Sequence, residues 1–180
     1  MKILALSGSA REASTNTALL RAVSEIAPHS IEIDVFHQLN LLPVFSPDNE
    51  GDKTPVVVQN FIEAVAAVDG VIISSPEYIR AIPGGLKNAI DWLVSRIEII
   101  DKPIVLVHAS SRGDDMLDSL RRVLTTVSAN FFEHLFLRIS LIGKTPEEIA
   151  VLMHSPEYES QITAFLLSFA EEINKCKEDD

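Results

Sequence analysis

Ser7 to Asn16 reads S-G-S-A-R-E-A-S-T-N, a run dense in groups that donate hydrogen bonds. Gly8 permits tight backbone geometry. Ser9, Ser14 and Thr15 offer hydroxyls, Asn16 an amide and Arg11 a guanidinium fork. A helix starting at the end of this run adds its own unpaired N–H groups to the same space. Such a set of donors suits a phosphate. The same residues also fit a plain helix start, with Ser14 as N-cap and Arg11 in solvent.

A second run, Ser75 to Trp92, reads S-P-E-Y-I-R-A-I-P-G-G-L-K-N-A-I-D-W. Pro76 stops a strand from continuing, and Pro83, Gly84 and Gly85 delimit the far end of the turn. The stiff loop between presents Glu77, Tyr78 and Arg80. Its backbone amides suit the polar edge of a flat heterocycle lying along the loop. Tyr78 equally fits an exposed or subunit-contact aromatic, and Glu77 a buried anchor for an arginine or the backbone. Trp92 and Leu93 are expected in the core or at an interface.

Other anion sites are excluded by what is missing. There is no G-x-x-x-x-G-K-[ST] and no G-x-G-x-x-G. A cysteine-based phosphatase needs a thiol in the first loop, whereas the one cysteine is Cys176. A receiver domain needs an aspartate ending the third strand, where Ser74 and Ser75 stand. One cysteine makes neither an internal disulfide nor a zinc cluster, and the five histidines lack ligand spacing. No Ser–His–Asp or Cys–His arrangement is offered, so no catalytic side chain is named.

These loops need a frame that holds them side by side. Apolar runs at Lys2–Leu6, Val71–Ser74 and Ile104–Val107 predict strands buried on both faces, hence a parallel sheet covered by helices. Ile31–Phe36 alternates and predicts a strand nearer an edge; Glu133–Ile139 is expected to be the fifth. Helices are expected over Ser14–Ile26, from Thr54 (N-cap) and Pro55 to about Val68, from Pro83 or Gly84 to about Arg96, and over Asp114–Val127. Two helical pieces follow Thr145-Pro146, the last about Glu157–Lys175, with a frayed charged end at Lys175–Asp180. Gln38–Asp52 is expected to be an apolar loop. With right-handed crossovers the pattern predicts one α/β domain over residues 1–180. Its ligand is expected beyond the carboxyl ends of the strands, at the topological switch point.

Bulk properties bound the partners. The chain has 180 residues, 47% hydrophobic and 23% charged, with net charge -11. An acidic surface repels a phosphate backbone, so no nucleic-acid partner is expected. No membrane partner is expected either, since no apolar stretch reaches spanning length. Without a signal-peptide pattern the expected location is the cytoplasm.

Taken together, G-S-x-R-x-x-S-x-N after the first strand and P-E-Y followed by P-G-x-L-K-N-A-I-D-W after the third resemble the NADPH-dependent FMN reductase family, over essentially the whole chain. The resemblance implies a flavodoxin-like three-layer sandwich with a five-stranded parallel sheet in the order 2-1-3-4-5. It implies FMN as cofactor, NADPH (or NADH) as reductant, and a quinone, azo compound, flavin or metal oxyanion as small-molecule acceptor. Ser9, Arg11, Ser14 and Asn16 would hold the FMN phosphate, with Thr15 contributing through its backbone. Pro76, Glu77 and Tyr78, with the backbone of Ile79 and Arg80, would border the isoalloxazine. A homodimer or homotetramer is expected, because Leu41–Phe45 and the region of Trp92 would otherwise lie partly exposed.

The chain departs from the family in three places. Ile79 stands where the family usually has asparagine, and Ala81 where serine is common. The loop after the fourth strand, His108 to Asp115, is shorter than the family's glycine-rich run. In it Ser110, Ser111 and the backbone around Arg112 would supply donors, while His108 suits a strand-end filler. Arg112 fits the reduced flavin, the 2′-phosphate of NADPH, or a solvent pair with Asp114 or Asp115. Two alternatives stay open: an electron carrier without its own NADPH site, and a family member that has lost flavin.

Overall fold

A computed structural model describes residues 1–178. The strands are β1 (Lys2–Ser7), β2 (Glu32–Phe36), β3 (Gly70–Ser74), β4 (Ile104–His108) and β5 (Phe131–Arg138). All pairings are parallel and the order is β2-β1-β3-β4-β5, as expected for a flavodoxin-like sheet. Helices α1 (Thr15–Ile26), α2 (Val56–Ala66), α3 (Gly84–Asp91), α4 (Asp114–Val127), α5 (Pro146–Met153) and α6 (Pro156–Glu178) cover both faces.

Successive residues of each inner strand enter different cores. Ile3, Ala5, Ile72, Val105 and Val107 pack with α1, α5 and α6. Leu4, Leu6, Val71, Ile73, Ile104 and Leu106 pack with α2, α3 and α4. Each fully buried Leu, Ile or Val side chain contributes roughly 1.5–3 kcal/mol, so both faces reject polar residues. Buried polar residues enter at the carboxyl ends instead: Ser7 on β1, Ser74 and Ser75 at the end of β3, and His108 on β4. The chain goes from β1 outward to β2 and then crosses back to β3. The loops after β1 and β3 therefore part at this point, and a crevice opens between them.

Several boundaries differ from expectation. Pro55, not Thr54, is the N-cap of α2, without a side-chain cap bond; Thr54 Oγ1 instead accepts from the Arg96 guanidinium. Helix α3 ends at Asp91, short of Arg96. There the hydrogen bonds tighten to three residues apart (Leu93 N–H to Ile90, Val94 N–H to Asp91), which lets Trp92 and Leu93 both turn inward. Strand β5 begins at Phe131 and bulges, pairing Phe131 with Ile104 but Phe136 with Leu106. The apolar loop 38–52 is folded into single 3-10 turns, of which Leu39 is buried, as is Leu42 beyond the first. Helix α6 continues to Glu178 rather than fraying from Lys175, and Lys175 pairs with Glu172; Asp179 and Asp180 lie outside the described residues. Among the described residues no helix is long and apolar enough to cross a membrane.

Trp92 is fully buried within its own chain, which removes the expectation that it needs a partner subunit to cover it. Its Nε1–H donates to the Pro43 carbonyl, and Phe45 packs edge-on against the ring. Leu41, Val44, Val94 and Ile97 stay exposed.

Candidate functional site

The first loop is pressed against the third by a backbone bond from Gly8 N–H to the Ser74 carbonyl, 2.8 Å. A Cβ on Gly8 would lie 2.7 Å from Ser75 Oγ, so only glycine fits this approach. Beyond Gly8 the loop organises its own polar groups in one sense. Ser9 Oγ accepts from the Arg11 N–H, and Ser14 Oγ accepts from Thr17 N–H as the N-cap of α1. Asn16 Oδ1 accepts from Ser74 Oγ at 2.9 Å. Each side chain spends an acceptor internally. The Ser9 and Ser14 hydroxyl protons and the Asn16 NH2 remain for something else. The Thr15 and Asn16 amides, at the first turn of α1, add two more donors without a helical acceptor. Arg11 is exposed and makes no ion pair among the described residues. The arrangement leaves a set of donors without internal acceptors.

The loop after β3 forms a two-residue hairpin. Tyr78 and Ala81 exchange both backbone bonds, at 3.2 and 3.1 Å, around Ile79 and Arg80. Both central residues have positive φ, 51° for Ile79 and 59° for Arg80, the I′ pattern that favours Asn-Gly. An asparagine tolerates this conformation; a β-branched isoleucine does not. The position where this chain departs from the motif it resembles is thus a strained one. Ile79 is 99% exposed and gains nothing from packing. Ile79→Asn is expected to stabilise the protein by about 1 kcal/mol, the low end of the cost of such a backbone. Urea unfolding measures it, and an unchanged or lower midpoint would show that the turn is unstrained.

This hairpin is stapled to the loop after β4. Glu77 Oε2 accepts from Met116 N–H at 3.1 Å, capping the start of α4, so Glu77 is the backbone anchor that its position allowed. Arg80 pairs with Asp115. Asp114 pairs with Arg138, whose Nε also donates to the Ser110 carbonyl at 2.7 Å. The hydrogen bond from Arg138 holds the Asp114 carboxyl below its ordinary pKa. Both aspartates are thereby taken, and Arg112 pairs with neither, which overturns the solvent ion pair as its reading.

His108 locks the same loop from beneath. It is buried, and its Nε2 bonds the Arg112 carbonyl at 2.6 Å. Gly113 follows at φ 99°, and a Cβ there would lie 3.0 Å from His108 Nε2. Since a carbonyl only accepts, Nε2 carries the proton. Nδ1 is also buried and has no hydrogen-bond partner among the described residues. Burial pushes the His108 pKa below its ordinary value; the Arg112 carbonyl opposes this and the Arg138 charge reinforces it.

A depressed histidine pKa means that folding favours the neutral ring. That contribution is complete above the unfolded value, near 6.5, and is lost as pH falls through the folded pKa. His154, whose pKa is raised by Glu159 and Glu25, works in the opposite sense and loses its contribution as pH rises. Between pH 7 and 5 the wild type is expected to lose more thermal stability than His108→Gln, which keeps a donor but does not titrate. Parallel melting curves for the two proteins would refute this.

The loops enclose a cavity of about 330 Å³. Of the residues singled out from sequence, Thr15, Asn16, Pro76, Glu77, Ser110 and Arg112 line it. Ser9, Arg11 and Ser14 lie in the loop that leads into Thr15, and Tyr78, Ile79 and Arg80 form the adjoining hairpin. Ser111 is exposed and not in the lining. Ser75, Ala109, Gly113, Leu141 and Ile142 line the cavity without having been expected there. So does His108, taken from sequence as filler. Leu141 and Ile142 follow β5, and the rule that ligands gather at carboxyl ends covers that loop as well as the others.

The family model described as NADPH-dependent FMN reductase matches residues 1–140. The chain is 37% identical over 118 residues to a quinone reductase of Escherichia coli strain K12, a match covering 63% of this chain and 61% of that protein. It therefore spans about three fifths of that relative's length. A probable NADPH:quinone oxidoreductase 2 of Oryza sativa subsp. japonica is 41% identical over 162 residues, covering 87% of this chain and 74% of that protein. Among solved structures, the flavoenzyme NAD(P)H:(acceptor) oxidoreductase FerB from Paracoccus denitrificans shares the fold, with TM-score 0.74 and 21% identity over 97% of both chains.

Proposed function

The chain belongs to the NADPH-dependent FMN reductase family, and from that premise we propose that it is an NAD(P)H-dependent FMN oxidoreductase that reduces a small acceptor. A quinone is the favoured acceptor class, since the E. coli and rice relatives bear that name. An azo compound, a free flavin or a metal oxyanion are the other acceptors of the same chemistry. We take residues 1–180 as one FMN-binding unit.

The carrying observation is the polarity of the first loop: acceptors used internally, donors left over. A singly esterified phosphate offers acceptors alone, so the donor set fits FMN. Ser9, Arg11, Ser14 and Asn16 would hold that phosphate with the Thr15 amide. Pro76, Glu77, Tyr78 and the backbone of Ile79 and Arg80 would border the ring. Ser110, Ser111 and the Arg112 backbone would meet its polar edge. Bound FMN supplies two-electron acceptance from a nicotinamide and delivery to the acceptor. The protein's part is placement, and the staples through Glu77, Arg80, His108 and Arg138 keep the surrounding loops in place.

An absorbance titration with FMN, then anaerobic NADPH, tests the reading. Saturable binding followed by bleaching supports it. Binding without bleaching points to an electron carrier, which the net charge of -11 would suit by docking basic partners. No binding points to a family member that has lost flavin.

A homodimer or homotetramer belongs to the same proposal. Val44, Val94 and Ile97 are the exposed apolar side chains that such an assembly would cover. Light scattering is expected to give a multiple of the 19.8 kDa chain mass, and the monomer mass would refute assembly.

A further inference from the structure

We propose that Arg112 recognises the 2′-phosphate of NADPH and sets a preference for NADPH over NADH. This rests on the flavin reading above and names the reductant of that same site. The charge map around the cavity leads to it. Arg80 is matched by Asp115 and Arg138 by Asp114. Arg112 lines the same cavity and makes no ion pair among the described residues.

Its backbone is fixed on both sides. The Arg112 N–H donates to Ser110 Oγ at 3.0 Å, and its carbonyl takes the His108 bond. A guanidinium on a fixed backbone loses less freedom on binding than one on a mobile loop. The exposure of this residue decides what it meets. On this loop His108, Ala109 and Gly113 are buried, whereas Arg112 is exposed. Its head group therefore lies on the solvent side of this loop, where an anionic ligand entering the cavity passes.

The overall charge of -11 makes an unmatched cation consequential. Without one, a protein of this charge repels a nucleotide with an extra phosphate more than one without it. A guanidinium suits a phosphate because it donates two parallel hydrogen bonds. NADPH carries that extra group and NADH does not.

The test uses FMN-loaded wild type, Arg112→Gln and Arg112→Lys. Anaerobic stopped-flow bleaching gives the apparent dissociation constant for NADPH and for NADH. Calorimetry with 2′,5′-ADP reads the phosphate contact without turnover. Arg112→Gln is expected to weaken NADPH and 2′,5′-ADP by ~10-fold or more, the worth of one charge-assisted contact, while NADH is unchanged. Arg112→Lys is expected to recover part of the loss. Because the Arg112 backbone borders the proposed ring site, FMN affinity and midpoint potential are measured alongside and report any contact of the side chain with the ring. Equal weakening of both nucleotides, or of neither, overturns the proposal. A shifted potential also overturns it and places the guanidinium on the flavin. A wild type that binds FMN but treats the two nucleotides alike refutes this assignment and leaves the flavin reading standing. A wild type that binds no FMN refutes both.

Discussion

Trp92→Ala is expected to lower the unfolding free energy by ~3–5 kcal/mol, the usual cost of emptying a buried indole site. Trp92 is fully buried and belongs to the core between the sheet and α2, α3 and α4. The change removes three things together. It opens a cavity that the neighbouring strand and helices fill only in part. It takes away the edge-on contact with Phe45, whose ring centroid lies 5.1 Å away. It also deletes the 2.8 Å bond from Nε1–H to the Pro43 carbonyl. That carbonyl is not orphaned, because Asn88 Nδ2 reaches it at 3.0 Å while Asn88 Oδ1 accepts from Phe45 N–H. Trp92→Phe keeps most of the volume and loses only the polar contact, so its cost is expected to be well below that of alanine. Urea unfolding of the two variants separates packing from hydrogen bonding. A loss under ~1 kcal/mol for alanine would mean that the site collapses around the gap or is not close-packed.

Arg11→Ala is expected to weaken FMN binding by about one to two decades, from the ~1.5–3 kcal/mol of a hydrogen bond to a charged group. The same change is expected to leave the melting temperature of the flavin-free protein where it was. Arg11 is exposed and pairs with no carboxylate among the described residues, so folding draws nothing from its charge. Riboflavin, which lacks the phosphate, supplies the internal control. Its affinity is expected to be the same for both proteins. Arg11→Lys keeps the charge but loses the planar fork, and should fall between wild type and alanine. Fluorescence titration with each flavin measures all of this. An unchanged FMN constant, or an equal loss for riboflavin, would remove Arg11 from the phosphate site.

The donor loop and the stiff loop after the third strand were both legible in the sequence, because each occupies a continuous stretch with a distinctive composition. Ser14 was legible as an N-cap, and the structure bonds it to Thr17 N–H accordingly. Glu77 offered anchoring or ligand contact; the Met116 bond supplies the anchoring, and the residue also lines the cavity. The strain at Ile79 was visible only as a departure from a familiar motif. Its cause, a positive φ at two adjacent positions, belongs to the hairpin and is written in no single side chain. The alternatives for Arg112 could not be separated by inspection of neighbours. Asp114 and Asp115 are adjacent in sequence, yet Arg138 and Arg80, far along the chain, reach them first.

Burial on both faces of a strand leaves a local mark, since every residue of the strand must be apolar. That is why β1, β3 and β4, and through them the layered sheet, follow from the order of residues alone. The donor-rich composition of the first loop is local in the same way. The matching of charges, the lock that His108 places on Arg112, and the arrival of Leu141 and Ile142 in the cavity are different in kind. They join segments tens of residues apart, and a pairing between distant groups depends on distances that only packing sets. The helix that ends early at Asp91 follows the same logic. Helical periodicity continues past it in the sequence, but the core had room for Trp92 and Leu93 together, and the chain bent to fill it.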